Sequence, residues 1–212
     1  TESGADGAAS PAAREILTGI HASALAVSPN GRYLVCANAG ADHLSVVDTR
    51  SDTVVETVWT KPNPADLLGA SPNALAFSPD GRTLYAANGS QNAIAVVRFD
   101  PGDKESLLVG LIPVGWFPGA LAYDAPRKQL IVANIKGLPS QPKKGPGGTE
   151  GFNSHHYNGT LSLVPLPAVK ELPALSEAVA RNLRKEAILA SQQPARPGIA
   201  PVPVPERIGE PS

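Results

Sequence analysis

Three stretches of the chain repeat one pattern of apolar and polar positions: HASALAVSPNGRYLVCAN (21–38), SPNALAFSPDGRTLYAAN (71–88) and FPGALAYDAPRKQLIVAN (117–134). Each reads as a short apolar strand, a turn, and a second apolar strand that ends in asparagine. The first two turns are Pro-Asn-Gly-Arg (29–32) and Pro-Asp-Gly-Arg (79–82), so Gly31 and Gly81 take the position that needs positive φ in a hairpin. The third stretch has Ala-Pro-Arg-Lys (125–128) instead and needs a different turn. A third strand follows in the first two copies as LSVVD and IAVVR, where Leu44 and Val46 alternate with Ser45, and Ile94 and Val96 with Ala95. That period of two marks strands whose two faces meet different neighbours. TVVETVW (53–59) and SLLVGLIPVG (106–115) supply a fourth strand.

The copies align without gaps on Asn38, Asn88 and Asn134, which lie 50 and 46 residues apart, and Gly19, Gly69 and Gly115 each stand five residues before Ala24, Ala74 and Ala120. Four antiparallel strands at this period suit a propeller blade. Blades crowd toward the central channel, and the small residues Ala24, Ala26, Ala74, Ala76, Ala120 and Ala122 suit an innermost strand. A β-sandwich also has short alternating strands but does not account for gap-free internal repetition. The expected fold is all-β: a partial propeller of about three four-stranded blades over 14–172, with repeats at 19–68, 69–114 and 115–167. Residues 1–13 are expected to be a flexible N-terminus, 173–190 a helix, and 191–212 a Pro-rich linker. The helix reading rests on Pro173 in a first turn and on Leu175, Val179, Leu183 and Ala187 along one face.

The tetrapeptides closing the second strands, Val35-Cys36-Ala37-Asn38, Tyr85-Ala86-Ala87-Asn88 and Ile131-Val132-Ala133-Asn134, resemble the repeat of the YVTN-type β-propellers. GLIPVGWFPGALAY, LIVANIKGL and GTLSLVPLP are further similar to the last blades of exported bacterial proteins that join such a propeller to an alkaline-phosphatase-like phosphoesterase domain. The resemblance implies a periplasmic or extracellular protein whose metal-dependent catalytic domain follows the helix and linker. No catalytic residue of that domain can be carried onto this chain. The implied role is a non-catalytic scaffold or binding segment. Two alternatives stand beside it: a stand-alone module whose propeller is completed by self-association, and a propeller enzyme that holds a redox cofactor. The expected partners are a missing phosphoesterase-like domain or missing blades, and the chain itself is expected to need no cofactor and no metal.

Charge and composition narrow the picture. Eighteen basic against nineteen acidic residues give a net charge of −1, without the basic stripe of a nucleic-acid binder. No apolar run reaches the length of a bilayer span. The N-terminus has no basic, apolar leader and no Met, so the chain reads as a mature product or a fragment. The single cysteine, Cys36, excludes an internal disulfide framework and reads as a small buried hydrophobe in a strand.

Candidate chemistry sits on one face. From Asn134 to Leu161 is 27 residues against 6 in the other copies, so about 136–158 is a Gly- and Pro-rich insertion. It falls between second and third strands, on the face that also carries His21, Trp116 and Phe117. With His155, His156 and Tyr157 in the insertion, these form the candidate ligand or domain-contact face. Adjacent histidines in extended chain point opposite ways and make a poor chelate. Trp116 and Phe117 also suit packing between blades. The three aligned asparagines are expected to bond hairpin backbone.

Overall fold

A computed structural model describes residues 14–64, 66, 69–137 and 158–212. Its first blade is β1 (Ala22–Val27), β2 (Tyr33–Asn38), β3 (His43–Asp48) and β4 (Thr53–Trp59). The second is β5 (Pro72–Phe77), β6 (Thr83–Asn88), β7 (Ala93–Arg98) and β8 (Leu107–Pro113), and the third is β9 (Trp116–Asp124), β10 (Gln129–Lys136) and β11 (Thr160–Pro165). Every sheet is an antiparallel meander in chain order, of four, four and three strands. The register repeats: Ala24↔Ala37, Ala74↔Ala87 and Ala133↔Ala120 are equivalent pairs. The chain is a partial β-propeller.

The two Pro-Asx-Gly-Arg turns are built alike. Ser28 Oγ and Ser78 Oγ donate to Asn30 Oδ1 and Asp80 Oδ1 at 2.7 and 2.6 Å, and those oxygens accept the amides of Arg32 and Arg82. Gly31 and Gly81 take φ of 68° and 71°, which an L side chain resists. In the third turn the left-handed position moves one residue on, to Lys128 with φ 49°. Asp124 stands where the serines stand, and its carboxylate accepts from the amide of Arg127 and from Gln129 Nε2, at 3.3 and 3.0 Å. A charged side chain thus closes the hairpin that lacks glycine.

Two cores fill the seams between blades. Val35, Ala37, Leu44, Val46 and Val58 of blade 1 meet Leu84, Ala86, Ala95 and Val97 of blade 2. On the other face of blade 2, Tyr85, Ala87, Ile94, Val96 and Ile112 meet Leu130 and Val132 of blade 3. Alternation along β6 and β7 sends successive side chains to opposite seams, which is why these two strands are apolar at nearly every position. Cys36 is buried, and burial pushes its thiol pKa up against a hydrogen bond from Thr18 that lowers it.

The expected helix is two: α1 (Leu172–Asn182) and α2 (Lys185–Ser191), broken at Arg184, whose φ is 54°. Helix α1 crosses the outer edge of blade 2. Leu172 and Leu175 enter the blade 2–3 core, and Val179 and Leu183 enter the blade 1–2 core. Ser176, midway, accepts the Leu111 amide of edge strand β8 at 2.8 Å and donates to Leu172 O at 2.7 Å. A side-chain oxygen thereby meets a donor that a lone edge strand leaves open. Contact is close because Gly110 lies beneath: a Cβ there would stand 2.8 Å from Leu172 Cβ. The break at Arg184 comes where the apolar face ends, and Lys185 Nζ beyond it lies 3.1 Å from Asp66 Oδ2, on the link between blades 1 and 2. The Pro-rich tail is not a straight extension. Arg196 clasps Glu210 at 2.7 and 3.0 Å, Arg207 Nη1 reaches Pro194 O, and the Ile208 amide bonds Ser191 O, closing a loop against the end of α2.

Candidate functional site

The face carrying the blade-entry segments and the β2–β3 and β6–β7 loops has a repeating frame. His21, Ser71 and Phe117 occupy equivalent positions and all take left-handed φ, at 56°, 52° and 56°. Asp42 and Asn92, each four residues past the repeat asparagine, do the same at 59° and 51°. Their side chains fasten the entry to the next blade. Asp42 Oδ1 accepts the amides of Ala70 and Ser71 at 2.7 and 3.0 Å, and Asn92 Oδ1 accepts the Phe117 amide at 2.9 Å. Sequence reading passed over this pair; their shared offset from Asn38 and Asn88 is the signal that marks them.

The first seam is charged as well. Lys61, only 6 % exposed, lies 3.2 Å from Asp42 Oδ2 and donates to Asp66 O at 3.0 Å. Burial opposes charge on Asp42, but the two amides and Lys61 together outweigh it and hold the carboxyl below its usual range.

The aligned asparagines do more than brace hairpins. Asn38 Oδ1 accepts the Gly19 amide at 3.1 Å, and its Nδ2 lies 2.8 Å from Ser45 Oγ and 3.1 Å from His43 Nδ1. Asn88 Nδ2 donates across the seam to Thr60 O and within its loop to Gln91 Oε1, at 2.8 and 2.9 Å. Asn134 Nδ2 reaches Ser162 Oγ at 2.8 Å. Gly19 and Gly115 lie over Asn38 and Asn134 so closely that a Cβ would collide with either amide, whereas Gly69 faces the Asp42 carboxylate instead.

His21, Trp116 and Phe117 share this face, each against its own loop. His21 packs on Gly40 and Phe117 on Gly89. Lys136 Nζ stands 5.0 Å above the Trp116 ring. Trp59 meets His43 edge-on at 5.6 Å. His155, His156 and Tyr157 lie outside the described residues. Among the described residues, no three His, Cys, Asp or Glu side chains come together as a metal site, and no helix is long and apolar enough to cross a membrane. Most of the polar groups named on this face bond one another, which suits holding blades together, while Asn88 Oδ1, Asn134 Oδ1 and Asn73 Nδ2 are buried without a hydrogen-bond partner among the described residues. The rings of Trp59 and Trp116 on this face are half-exposed.

The grooves lie on the rim. One of about 430 Å³ runs between β4 and β8, past Trp59, Lys61, Ser106 and Ser176. A larger one, about 970 Å³, lies beside β11, where blade 3 has no fourth strand among the described residues, lined by Ile112, Val114, Leu163, Val164, Leu166 and Leu175.

Comparison with the curated proteins finds no match. Among solved structures, hydrazine synthase of Kuenenia stuttgartiensis is 22 % identical over 58 % of this chain and 32 % of its own, with a TM-score of 0.47. A Lactobacillus plantarum protein is 27 % identical over 52 % of this chain and 33 % of its own, also at 0.47. A putative 6-phosphogluconolactonase from Bacteroides uniformis is 23 % identical over 52 % of this chain and 32 % of its own, at 0.46. The chain thus spans about a third of the length of these proteins. Over residues 6–104, which hold blade 1 and the first three strands of blade 2, the chain is similar to the family described as lactonase, 7-bladed β-propeller.

Proposed function

We propose that this chain is a rigid, non-catalytic binding and positioning segment of a propeller that serves a larger exported hydrolase of the alkaline-phosphatase-like phosphoesterase type. The type of hydrolase and the export follow from the sequence resemblance. The observation that carries the positioning role is the seating of α1 across blade 2, with apolar anchors in both seams and Ser176 on the β8 edge. A chain leaving the blades by this route is held at a fixed place on the rim, and so is whatever it carries. Spin labels at Lys104→Cys and Val204→Cys in a Cys36→Ala background test this. A single narrow distance distribution is expected; a broad one would make the tail a flexible tether and overturn the positioning role.

A second reading is carried by the family match: the blades themselves act on a lactone ester. Assays of the 212-residue chain on a δ-lactone and on p-nitrophenyl phosphate separate the readings. The positioning role expects turnover of neither. Lactone turnover, lost on substitution of His43 or Trp59, would move the chemistry onto the blades.

A further inference from the structure

We infer that a cavity beneath the chain leading into α1 binds a small monocarboxylate with a compact apolar body. Its volume is about 300 Å³, at the small end of ligand pockets. Strands β6, β7 and β8 make its floor, where Val96 and Ile112 are buried, and Pro167 and Val169 make its roof. Every described residue that lines it belongs to blade 2 or to the segment that enters α1.

Three hydrogen-bond donors share that floor. Thr83 and Tyr85 stand two apart on β6, so they lie on one face, and Arg98 lies directly across from Thr83 on β7. Tyr85 is only 7 % exposed, whereas Arg98 is exposed at the mouth. Among the described residues neither the Tyr85 hydroxyl nor the Arg98 guanidinium has a hydrogen-bond or ion-pair partner. A buried hydroxyl without a partner costs free energy that an acceptor in the cavity would recover. Burial above all, with Tyr123 and Asp80 adding to it, pushes the Tyr85 pKa up to about 12, so the hydroxyl keeps its proton and donates. Asp80 itself is held by Ser78 and the Arg82 amide and does not line the cavity. Arg98 is the one charged group among the described residues that do.

The repeat does not call for these groups. Val35 and Ile131 stand where Tyr85 stands, and blades 1 and 3 pack there without a hydroxyl. Asp48 stands where Arg98 stands, and it is engaged within its own blade by Arg32 and by the amides of Arg50 and Ser51. Blade 2 instead sets an unpaired cation beside an unpaired phenol. One positive charge, two neutral hydroxyls and apolar walls match a ligand with one negative charge and an apolar body. A carboxylate can take two bonds from the guanidinium and still accept from Tyr85. A dianion such as a phosphate monoester would bring a second charge that this lining does not meet.

The experiment titrates the 212-residue chain with 3-phenylpropanoate, 3-phenylpropanamide and phenyl phosphate, and follows the methyl resonances of Val96, Ile112 and Val169. The carboxylate should shift these methyls saturably, and the amide and the phosphate should bind about tenfold more weakly. Arg98→Gln should weaken the carboxylate about tenfold and Tyr85→Phe about threefold. Circular dichroism should not change in either, because Arg98 is exposed and phenylalanine keeps the ring. Arg82→Gln, which removes an exposed cation outside the lining, should leave the affinity as it was. The absence of saturable shifts at these methyls overturns the inference. So does an amide or a phosphate that binds as well as the carboxylate, or a carboxylate affinity that Arg98→Gln spares or that Arg82→Gln lowers equally.

Discussion

Blade 2 and blade 3 share one repeat and one strand register, yet they are finished differently. Blade 2 buries both faces, in two seams, and its outer edge is covered by α1. Blade 3 buries one face, through Leu130 and Val132, and leaves the opposite face and the edge of β11 in solvent. The repeat thus encodes a surface that must be paired on both sides, and only the middle blade finds both partners within the described chain. What separates the two blades is what covers them.

The largest expected effect breaks the interior of that comparison. Leu84→Ala opens a cavity in the blade 1–2 seam, where Leu84 is wholly buried, and should cost about 3–4 kcal/mol. Leu163→Ala, on the free face of blade 3, should stay within about 0.5 kcal/mol. Denaturant unfolding of both variants measures the contrast, and equal losses would mean that blade 3 is covered after all.

The seams give a second contrast. Asp42→Ala strands the nearly buried Lys61 and frees two amides, so a loss of roughly 3 kcal/mol is expected. Asn92→Ala removes one neutral acceptor from the blade 2–3 seam and should cost only about 1 kcal/mol. The two also differ with pH. The Asp42 carboxyl is held below its usual range, so its contribution is complete above the unfolded carboxyl pKa of about 4 and fades as pH falls through the lower folded value. Urea midpoints between pH 6 and pH 3 should fall less steeply in Asp42→Asn than in the parent chain, and Asn92→Ala should leave the slope unchanged.

Smaller effects sharpen the edge. Gly110→Ala drives a methyl into Leu172 and Ser176 and should cost about 1–2 kcal/mol as α1 is lifted. Ser176→Ala leaves the Leu111 amide unmet and should cost about 1 kcal/mol. If α1 is seated as described, near-ultraviolet and helical signals should loosen together in Gly110→Ala while the propeller's own melting persists.

Blade number, strand order and register were legible because period-two alternation, Pro-Asx-Gly turns and three aligned asparagines all recur at one spacing. The third turn was legible as an exception, but its solution was not. That Asp124 would take over from serine while Lys128 takes the left-handed angle depends on local bonds that no motif announces. The helix was legible from Leu175, Val179 and Leu183. Its break at Arg184 and its course over Gly110 were not, because they depend on contacts about 65 residues away in sequence. On the loop face, His21, Trp116 and Phe117 each lie against their own loop, and the groups that fasten that face are Asp42, Lys61 and Asn92. A lone aspartate or lysine in a loop carries no period, and its partner, a backbone amide 28 residues on, leaves no mark in the sequence.

Residue-resolved hydrogen exchange tests the central claim, the seating of α1 on the closed middle blade, most directly. The Leu111 amide should be protected nearly as well as the amides of β7, and Ser176→Ala should release it, while the Leu161 and Leu163 amides exchange fast throughout. A Leu111 amide that exchanges as fast as Leu161 in a chain that keeps Ser176 would contradict the account, because the edge of blade 2 would then be as open as that of blade 3.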